Sequence, residues 1–301
     1  MSKEPFYVTT PIYYVNGEPH IGTAYTTVAT DATARFARMD GRDVFFLTGM
    51  DEHGEKVAEA AAAHGMTPQE WCDSQVTQFT ELWRDLDITN DDFIRTTQPR
   101  HVKGVQDFMQ KLHDNGYLYK GTYDGYYCTP CETQFTEGDL VDGKCPDCGR
   151  EVKVIHEENW FFKLSEFGDK LLAYYDEHPN FIRPQIRENE IRSFIEGGMH
   201  DLSVSRTAFD WGIPLPFDPE HVTYVWVDAL INYLTALGYG SDDTTPLERF
   251  WPANFHFVGK DIIRFHCVIW PAMLMAAGME CPRHVFAHGF LMAADGSKMS
   301  K

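Results

Sequence analysis

The stretch from residue 6 to residue 48 constrains the fold most. Phe6-Tyr7-Val8-Thr9-Thr10 reads as a strand, and Tyr14-Val15-Asn16-Gly17 supplies turn chemistry. Over residues 21–39, Ile21, Ala24, Tyr25, Val28, Ala32, Phe36 and Met39 recur close to helical period, and Gly41 stops that helix. Residues 43–48 then run apolar without alternation, as a parallel strand buried on both faces does. Strand, helix and second buried strand make a βαβ unit, which predicts an α/β fold built on a Rossmann-type, doubly wound parallel sheet.

Downstream, Thr67-Pro68-Gln69-Glu70 opens another helix, expected to reach about residue 85. Thr67 caps it, Pro68 sits in the first turn and Glu70 closes a capping box. A strand is expected at residues 93–96 and a helix at 101–113, stopped by Asn115-Gly116. From Tyr117 the texture changes to aromatics, glycines and paired cysteines, and helical period does not return until Ser165. Residues 116–221 therefore read as a connective insertion between two sheet halves, 1–115 and 222–301. In the second half the α/β texture resumes at Tyr224-Val225-Trp226-Val227. A helix over 228–237, a strand at 254–258, a helix over 261–277 kinked at Pro271 and a last strand at 284–287 follow.

Composition removes several function classes. The net charge of −19, from 45 acidic against 26 basic side chains, argues against non-specific coating of a nucleic-acid backbone. It leaves room for one shaped RNA on a local basic patch. The chain is 43% hydrophobic, yet no apolar run approaches the roughly 18 residues of a membrane span. Met1-Ser2-Lys3-Glu4-Pro5 lacks the apolar core of a signal peptide, so a cytoplasmic location is expected. Seven cysteines, an odd number, read as reduced thiols rather than a disulfide framework. Cys72, Cys267 and Cys281 read as small core residues.

The other four carry chemistry. Cys128 and Cys131 form one C-x2-C pair, thirteen residues separate it from the pair Cys145 and Cys148, and Pro130, Pro146 and Gly149 supply turns beside them. Such pairs present four thiolates tetrahedrally to one structural Zn2+ per chain, where redox cysteines are the alternative. The metal then supplies folding free energy that so small and charge-rich a segment cannot obtain from apolar burial.

His20-Ile21-Gly22-Thr23 falls where the first turn becomes the helix. Backbone N–H groups at a helix N-terminus attract phosphate, Gly22 allows close approach, and His20 and Thr23 can donate to phosphate oxygens. A capping turn with a solvated histidine is the plainer reading of the same residues. Lys298 and Lys301 follow the last strand, where their ammonium groups could meet a pyrophosphate leaving group. A frayed, charged terminus is the alternative for them.

Pro19-His20-Ile21-Gly22-Thr23-Ala24-Tyr25 together with Lys298-Met299-Ser300-Lys301 resembles the signature pair of class I aminoacyl-tRNA synthetases. Four further segments narrow the resemblance to the methionyl-tRNA synthetase family. They are Pro11-Ile12-Tyr13-Tyr14-Val15-Asn16-Gly17, Thr48-Gly49-Met50-Asp51-Glu52-His53-Gly54, Tyr224-Val225-Trp226-Val227-Asp228-Ala229-Leu230 and Phe257-Val258-Gly259-Lys260-Asp261-Ile262. Two departures stand out: Thr23 replaces the second histidine of the first signature, and the sequence stops inside the second. Members also carry a helical anticodon-binding domain that is missing here, so the sequence is expected to be a catalytic N-terminal part, monomeric as a fragment.

The resemblance implies activation of L-methionine by ATP to methionyl-adenylate, then transfer to tRNA(Met), with Mg2+ on the triphosphate. It assigns His20, Gly22, Thr23, Gly259, Lys260, Asp261, Lys298 and Lys301 to ATP, with His20, Thr23, Lys298 and Lys301 acting on the phosphates. It assigns Asp51 to the α-ammonium group. Ile12, Tyr14, Trp226, Ala229, Leu230, Tyr233, Ile262 and His266 are then expected to form the side-chain pocket, where aromatic rings favour a thioether. Spacing places Trp226, Ala229, Leu230 and Tyr233 on one helical face, which serves core packing as well as a pocket wall.

Overall fold

The computed structural model describes residues 3–15, 17–129, 131–146, 148–296 and 299. The first βαβ unit comprises β1 (Pro5–Thr9), the short β2 (Tyr13–Tyr14), α1 (Ile21–Met39) and β3 (Asp43–Asp51). After α2 (Glu55–Ala63), α3 (Pro68–Asp85) leads to β4 (Asp92–Arg95) and α4 (Pro99–Asp114). The predicted cap of α3 is present: Thr67 Oγ1 accepts from the Glu70 N–H while the Glu70 carboxylate accepts from the Thr67 N–H.

A long antiparallel ribbon of β5 (Leu118–Cys128) and β7 (Lys153–Phe162) follows, with β6 (Thr133–Phe135) on one edge. Then come α5 (Gly168–Glu177), β8 (Ile182–Arg183), α6 (Gln185–Glu196) and the short strands β9 (Leu202–Ser203), β10 (Ser205–Arg206), β11 (Pro214–Leu215) and β12 (Asp218–Thr223). The chain closes with α7 (Val225–Thr235), α8 (Thr245–Phe250), β13 (Phe255–Gly259), α9 (Trp270–Ala276) and β14 (Val285–His288).

The main sheet is parallel throughout. β3 lies between β1 and β4, β1 pairs with β13, and β13 pairs with β14. From the central β1 the first half of the chain winds one way and the second half the other. The switch falls between β1 and β13, and an open α/β sheet binds ligands in the crevice beyond the strand ends at that point. β8, from within residues 116–221, extends the same sheet beside β14, so that stretch returns once to the parallel layer. Among the described residues no helix is long and apolar enough to cross a membrane.

Two elements differ from expectation. Helix α1 spans the predicted residues, but its apolar stripe faces out: Phe36 is 70% and Met39 87% exposed. Its buried face is Thr23, Thr26, Thr27, Thr30, Asp31, Ala34 and Ala37. The threonine hydroxyls of that face donate back to carbonyls one turn earlier (Thr30 to Thr26 at 2.8 Å, Thr27 to Thr23 at 3.0 Å), which satisfies them and leaves their methyl groups for packing.

The expected kinked helix over 261–277 is three pieces, a 3-10 turn at Lys260–Ile262, a π-helical turn at Phe265–Ile269 and α9. Pro271 has no N–H for the Cys267 carbonyl four residues earlier. The buried Tyr175 hydroxyl donates to that carbonyl instead.

Candidate active site

The strand ends of the switch point open onto a cavity of about 500 Å3. Pro11, Ile12, Tyr13 and Tyr14 follow β1, Asp51 ends β3, Gly259 ends β13, and His288 ends β14, so one edge of the sheet supplies most of the floor. Helix α7 supplies Trp226, Ala229, Leu230 and Tyr233 from one face, as their spacing predicts, although the helix starts at Val225, three residues earlier than expected. Ile262 and His266 close the cavity from the other side.

Asp51 is the cavity's most costly group. It is buried, its Oδ1 has no hydrogen-bond partner among the described residues, and the surrounding side chains are largely aliphatic or aromatic. Burial, reinforced by the nearby carboxylates of Asp228, Glu132 and Glu52, raises its pKa well above the usual range, against a backbone hydrogen bond from His53 that lowers it. A carboxylate in that state calls for a cationic partner.

His53 is itself fixed from behind. The Asp228 carboxylate on α7 accepts from His53 Nδ1 at 2.7 Å and from His101 Nε2 at 2.6 Å. Asp228 is fully buried, which by itself would raise its pKa, but the two histidines outweigh burial and hold it below the ordinary carboxylate value.

Tyr233 and His266 form a second fixed pair. His266 Nδ1 lies 3.0 Å from the Ile262 carbonyl, which can only accept, so Nδ1 carries the proton. Nε2 is then the acceptor for the Tyr233 hydroxyl at 2.7 Å. Burial lowers the His266 pKa to about 4, which keeps the ring neutral. Trp226 stacks on Phe265 with ring centroids 4.1 Å apart and an interplanar angle of 14°.

On the opposite side the cavity meets the N-terminus of α1. His20 is the N-cap residue, and its Nδ1 accepts from the Gly22 N–H at 3.1 Å. That bond needs a neutral ring with the proton on Nε2. Gly22 is required for it, because a Cβ there would stand 2.9 Å from the His20 ring. The helix start thus presents backbone N–H groups and the positive end of its dipole to the cavity.

Of the residues expected at the ATP end, His20, Gly22, Thr23, Gly259 and Asp261 line the same cavity as the pocket residues. Lys260 does not line it; its ammonium group sits 4.6 Å from the centre of the Phe290 ring. Lys298 and Lys301 lie outside the described residues. Tyr25, Thr26, His288 and Phe290 line the cavity without having been anticipated. His288 Nε2 is 2.7 Å from Thr26 Oγ1, and its ring meets Tyr25 edge-on at 4.9 Å. The signal available for His288 was its place at the end of a parallel strand, the same position that Gly259 holds.

The cysteines converge separately, at the tip of the β5–β7 ribbon. The four Sγ atoms lie within 4.8 Å of one another, with Cys128 to Cys148 at 3.6 Å and Cys131 to Cys145 at 3.9 Å. A tetrahedral zinc with bonds near 2.3 Å requires sulfur separations of about 3.8 Å, whereas a disulfide requires about 2.05 Å. The donor set fits a structural zinc, held by all four cysteines with no position left open. Among the described residues the apolar cluster around it is small: Phe135 is its one buried residue besides Cys128 and Cys145, with Tyr126, Leu140 and Val152 packed against it. Cys72, Cys267 and Cys281 are buried elsewhere in the core.

The family model described as "tRNA synthetases class I (M)" matches residues 6–154 and 149–301. The chain belongs to the class I (M) tRNA synthetases. Within that family it is 56% identical to the methionine–tRNA ligase of Caldanaerobacter subterraneus subsp. tengcongensis over 99% of its own length and 47% of that protein's. It is 55% identical to the methionine–tRNA ligase of Thermotoga maritima over 98% of its length and 47% of the relative's. Among solved structures, Mycobacterium tuberculosis methionyl-tRNA synthetase in complex with methionyl-adenylate superposes with a TM-score of 0.94 at 48% identity, covering 98% of this chain and 59% of that one. This class I (M) synthetase chain thus spans about half the length of the curated relatives it matches.

Proposed function

We propose that the chain carries the amino-acid activation site of a methionyl-tRNA synthetase: it joins L-methionine to ATP as methionyl-adenylate and, in the whole enzyme, passes the methionyl group to the 3′ end of tRNA(Met). The observation that carries this reading is the buried Oδ1 of Asp51, without a hydrogen-bond partner among the described residues, in the wall of a largely aliphatic and aromatic cavity that the N-terminus of α1 meets from the opposite side. Asp51 takes the α-ammonium group. Ile12, Tyr14, Trp226, Ala229, Leu230, Tyr233, Ile262 and His266 enclose an unbranched apolar side chain, whose thioether packs against their rings. A relative's structure holding methionyl-adenylate supports the same use of the cavity.

The chemistry asks little of acid–base groups. The methionine carboxylate is ionised at neutral pH, so it attacks the α-phosphorus without a general base. A carboxylate O–P bond forms as the bond from the α-phosphorus to the pyrophosphate oxygen breaks, and pyrophosphate leaves with the electron pair. The protein's part is alignment of the two reactants and stabilisation of charge on the phosphates.

His20, through Nε2–H, together with Thr23 and the first N–H groups of α1, serves the phosphates; Gly259 and Asp261 serve the nucleoside, Asp261 as an acceptor for the ribose. Lys260, Lys298 and Lys301 belong to the same assignment by resemblance, the two last for the β- and γ-phosphates. Mg2+ enters with the triphosphate and shields its charge. The four cysteines hold zinc for structure alone. Cytoplasmic location and action as a single chain complete the proposal.

Exchange of labelled pyrophosphate into ATP, assayed with methionine, leucine and valine in turn, tests it together with calorimetric titration of each amino acid. Exchange and binding with methionine alone are expected. Exchange with leucine or valine but not methionine overturns the substrate assignment, and neither exchange nor methionine binding overturns the activation site.

A further inference from the structure

We propose that Glu132, the residue after Cys131, is a positioning residue through which the cysteine cluster sets both walls of the methionine pocket. The proposal rests on reading the cavity as a methionine site. Glu132 is 3% exposed and does not line the cavity, so it acts only through its neighbours. Its Oε1 accepts from the Tyr14 hydroxyl at 2.6 Å, and Tyr14 belongs to the cavity wall that follows β1. Its backbone carbonyl accepts from the Tyr224 hydroxyl, and Tyr224 is the N-cap residue of α7, the helix that carries Trp226, Ala229, Leu230 and Tyr233. One residue of the ribbon thus holds the two elements between which the side chain is to be enclosed.

The other end of this strut is built into the cysteine turn. Cys131 N–H donates to the Cys128 carbonyl at 3.2 Å, and Glu132 N–H donates to the Thr129 carbonyl at 3.3 Å. Glu132 therefore shares the turn that aims Cys128 and Cys131, and it holds a left-handed backbone with φ of 49° as the chain enters β6. A tetrahedral metal that fixes the two sulfurs fixes this turn. On the pocket side, space is reserved for the contact. Gly54 has φ of 106°, and a Cβ there would lie 2.6 Å from Glu132 Oε1 and 2.8 Å from the Tyr14 hydroxyl. The Lys56 N–H, in the first turn of α2, faces the same Oε1 at 3.4 Å.

The test is calorimetric titration of the chain with L-methionine, before and after metal removal by a chelator, with zinc content measured alongside. Glu132→Gln keeps an oxygen for the Tyr14 hydroxyl and is expected to bind within about threefold of the parent, whereas Glu132→Ala is expected to weaken binding roughly tenfold, the effect of one lost buried hydrogen bond. Zinc content is expected to stay unchanged in both. Chelation is expected to weaken methionine binding by the parent roughly tenfold and to add less than about twofold to the loss in Glu132→Ala, because the link is already cut.

Equal losses on chelation in the parent and Glu132→Ala overturn the proposal, as does unchanged binding by Glu132→Ala. Should Glu132→Ala fail to fold, Tyr224→Phe decides: it removes the carbonyl contact outside the cavity, and parental affinity with a parental response to chelation overturns the proposal. Absence of methionine binding by the parent overturns the reading of the pocket instead.

Discussion

His53 and Asp228, 175 positions apart in sequence, meet at 2.7 Å inside the core and tie the end of β3 to α7. The His53 backbone N–H in turn donates to the Asp51 carboxylate, so the orientation of Asp51 is referred to a buried ion on the opposite wall. Asp228 also holds His101, itself completely buried. Replacing Asp228 leaves two buried imidazoles short of an acceptor, and such orphaned partners cost about 3 kcal/mol. Asp228→Ala is expected to lower the melting temperature by roughly 6–10 °C and to abolish methionine binding, measured by calorimetry and thermal denaturation. A stable variant with parental affinity would show that the network is dispensable.

Asp51 carries the opposite sign. Its native pKa lies above the unfolded value near 3.8, chiefly through burial. The native state therefore holds a proton that the unfolded chain releases, and this group's contribution to stability is full below the unfolded value and lost as pH rises through the native one. At neutral pH the buried carboxyl works against folding. Asp51→Asn is expected to raise the melting temperature at pH 7 by about 2 °C or more while eliminating methionine binding. The gain should shrink as the pH is lowered toward 4, and a loss of stability at pH 7 would show that Asp51 has a structural partner.

The cysteine cluster predicts a local rather than global response to metal loss. Its apolar surroundings are few, while the parallel sheet has an extensive core of its own. About one zinc per chain is expected in the purified protein, and Cys145→Ser should bring that close to zero. After chelation, hydrogen exchange is expected to accelerate in β5, β6 and β7 while β1, β3 and β13 keep their protection. Uniform acceleration through the sheet would make the metal a determinant of the whole fold.

How much of this was legible in the sequence depends on which physical rule each feature obeys. Strong local signals held: the capping box at Thr67 and Glu70 and the C-x2-C pairs complete their chemistry within short stretches of chain, and the unbroken apolar run of β3 marks a strand covered on both faces whichever strands pair with it. The burial of α1 was not legible, because a threonine whose hydroxyl bonds its own helix packs as an apolar residue, while the alkyl and aromatic side chains at Ile21, Tyr25, Val28 and Phe36 stand on the outer face.

Contacts between distant segments were hidden for a different reason. Asp228 lies in a recognisable segment, but its two histidines come from the first turn of α4 and from the loop after β3, 127 and 175 positions away, and nothing local marks the pairing. Glu132 looked like one acid among many in a strongly acidic chain. Only the ribbon's return toward β2 reveals Tyr14 above it.

The neutral state of His266 leads to a test of the pocket's inner wall. Its native pKa of about 4, set by burial, is below the unfolded value of 6.5, so its contribution to stability is present above 6.5 and lost as pH falls toward 4. His256, stacked on Tyr233 at 4.1 Å, is depressed in the same direction by burial and by His266. The parent is therefore expected to lose stability between pH 6.5 and 4, and His266→Gln should flatten that part of the profile. Removing His266 also relieves His256, so both effects of the substitution have one sign.

Tyr233→Phe acts differently: it deletes the hydroxyl that Nε2 accepts from at 2.7 Å and leaves a buried nitrogen unpaired, at a cost of about 1–3 kcal/mol. Thermal denaturation of the three proteins across pH 4 to 7 separates the cases. A Tyr233→Phe variant as stable as the parent at pH 7 would mean that the ring nitrogen finds another donor, and parallel profiles for parent and His266→Gln would mean that this histidine does not stay neutral in the folded state.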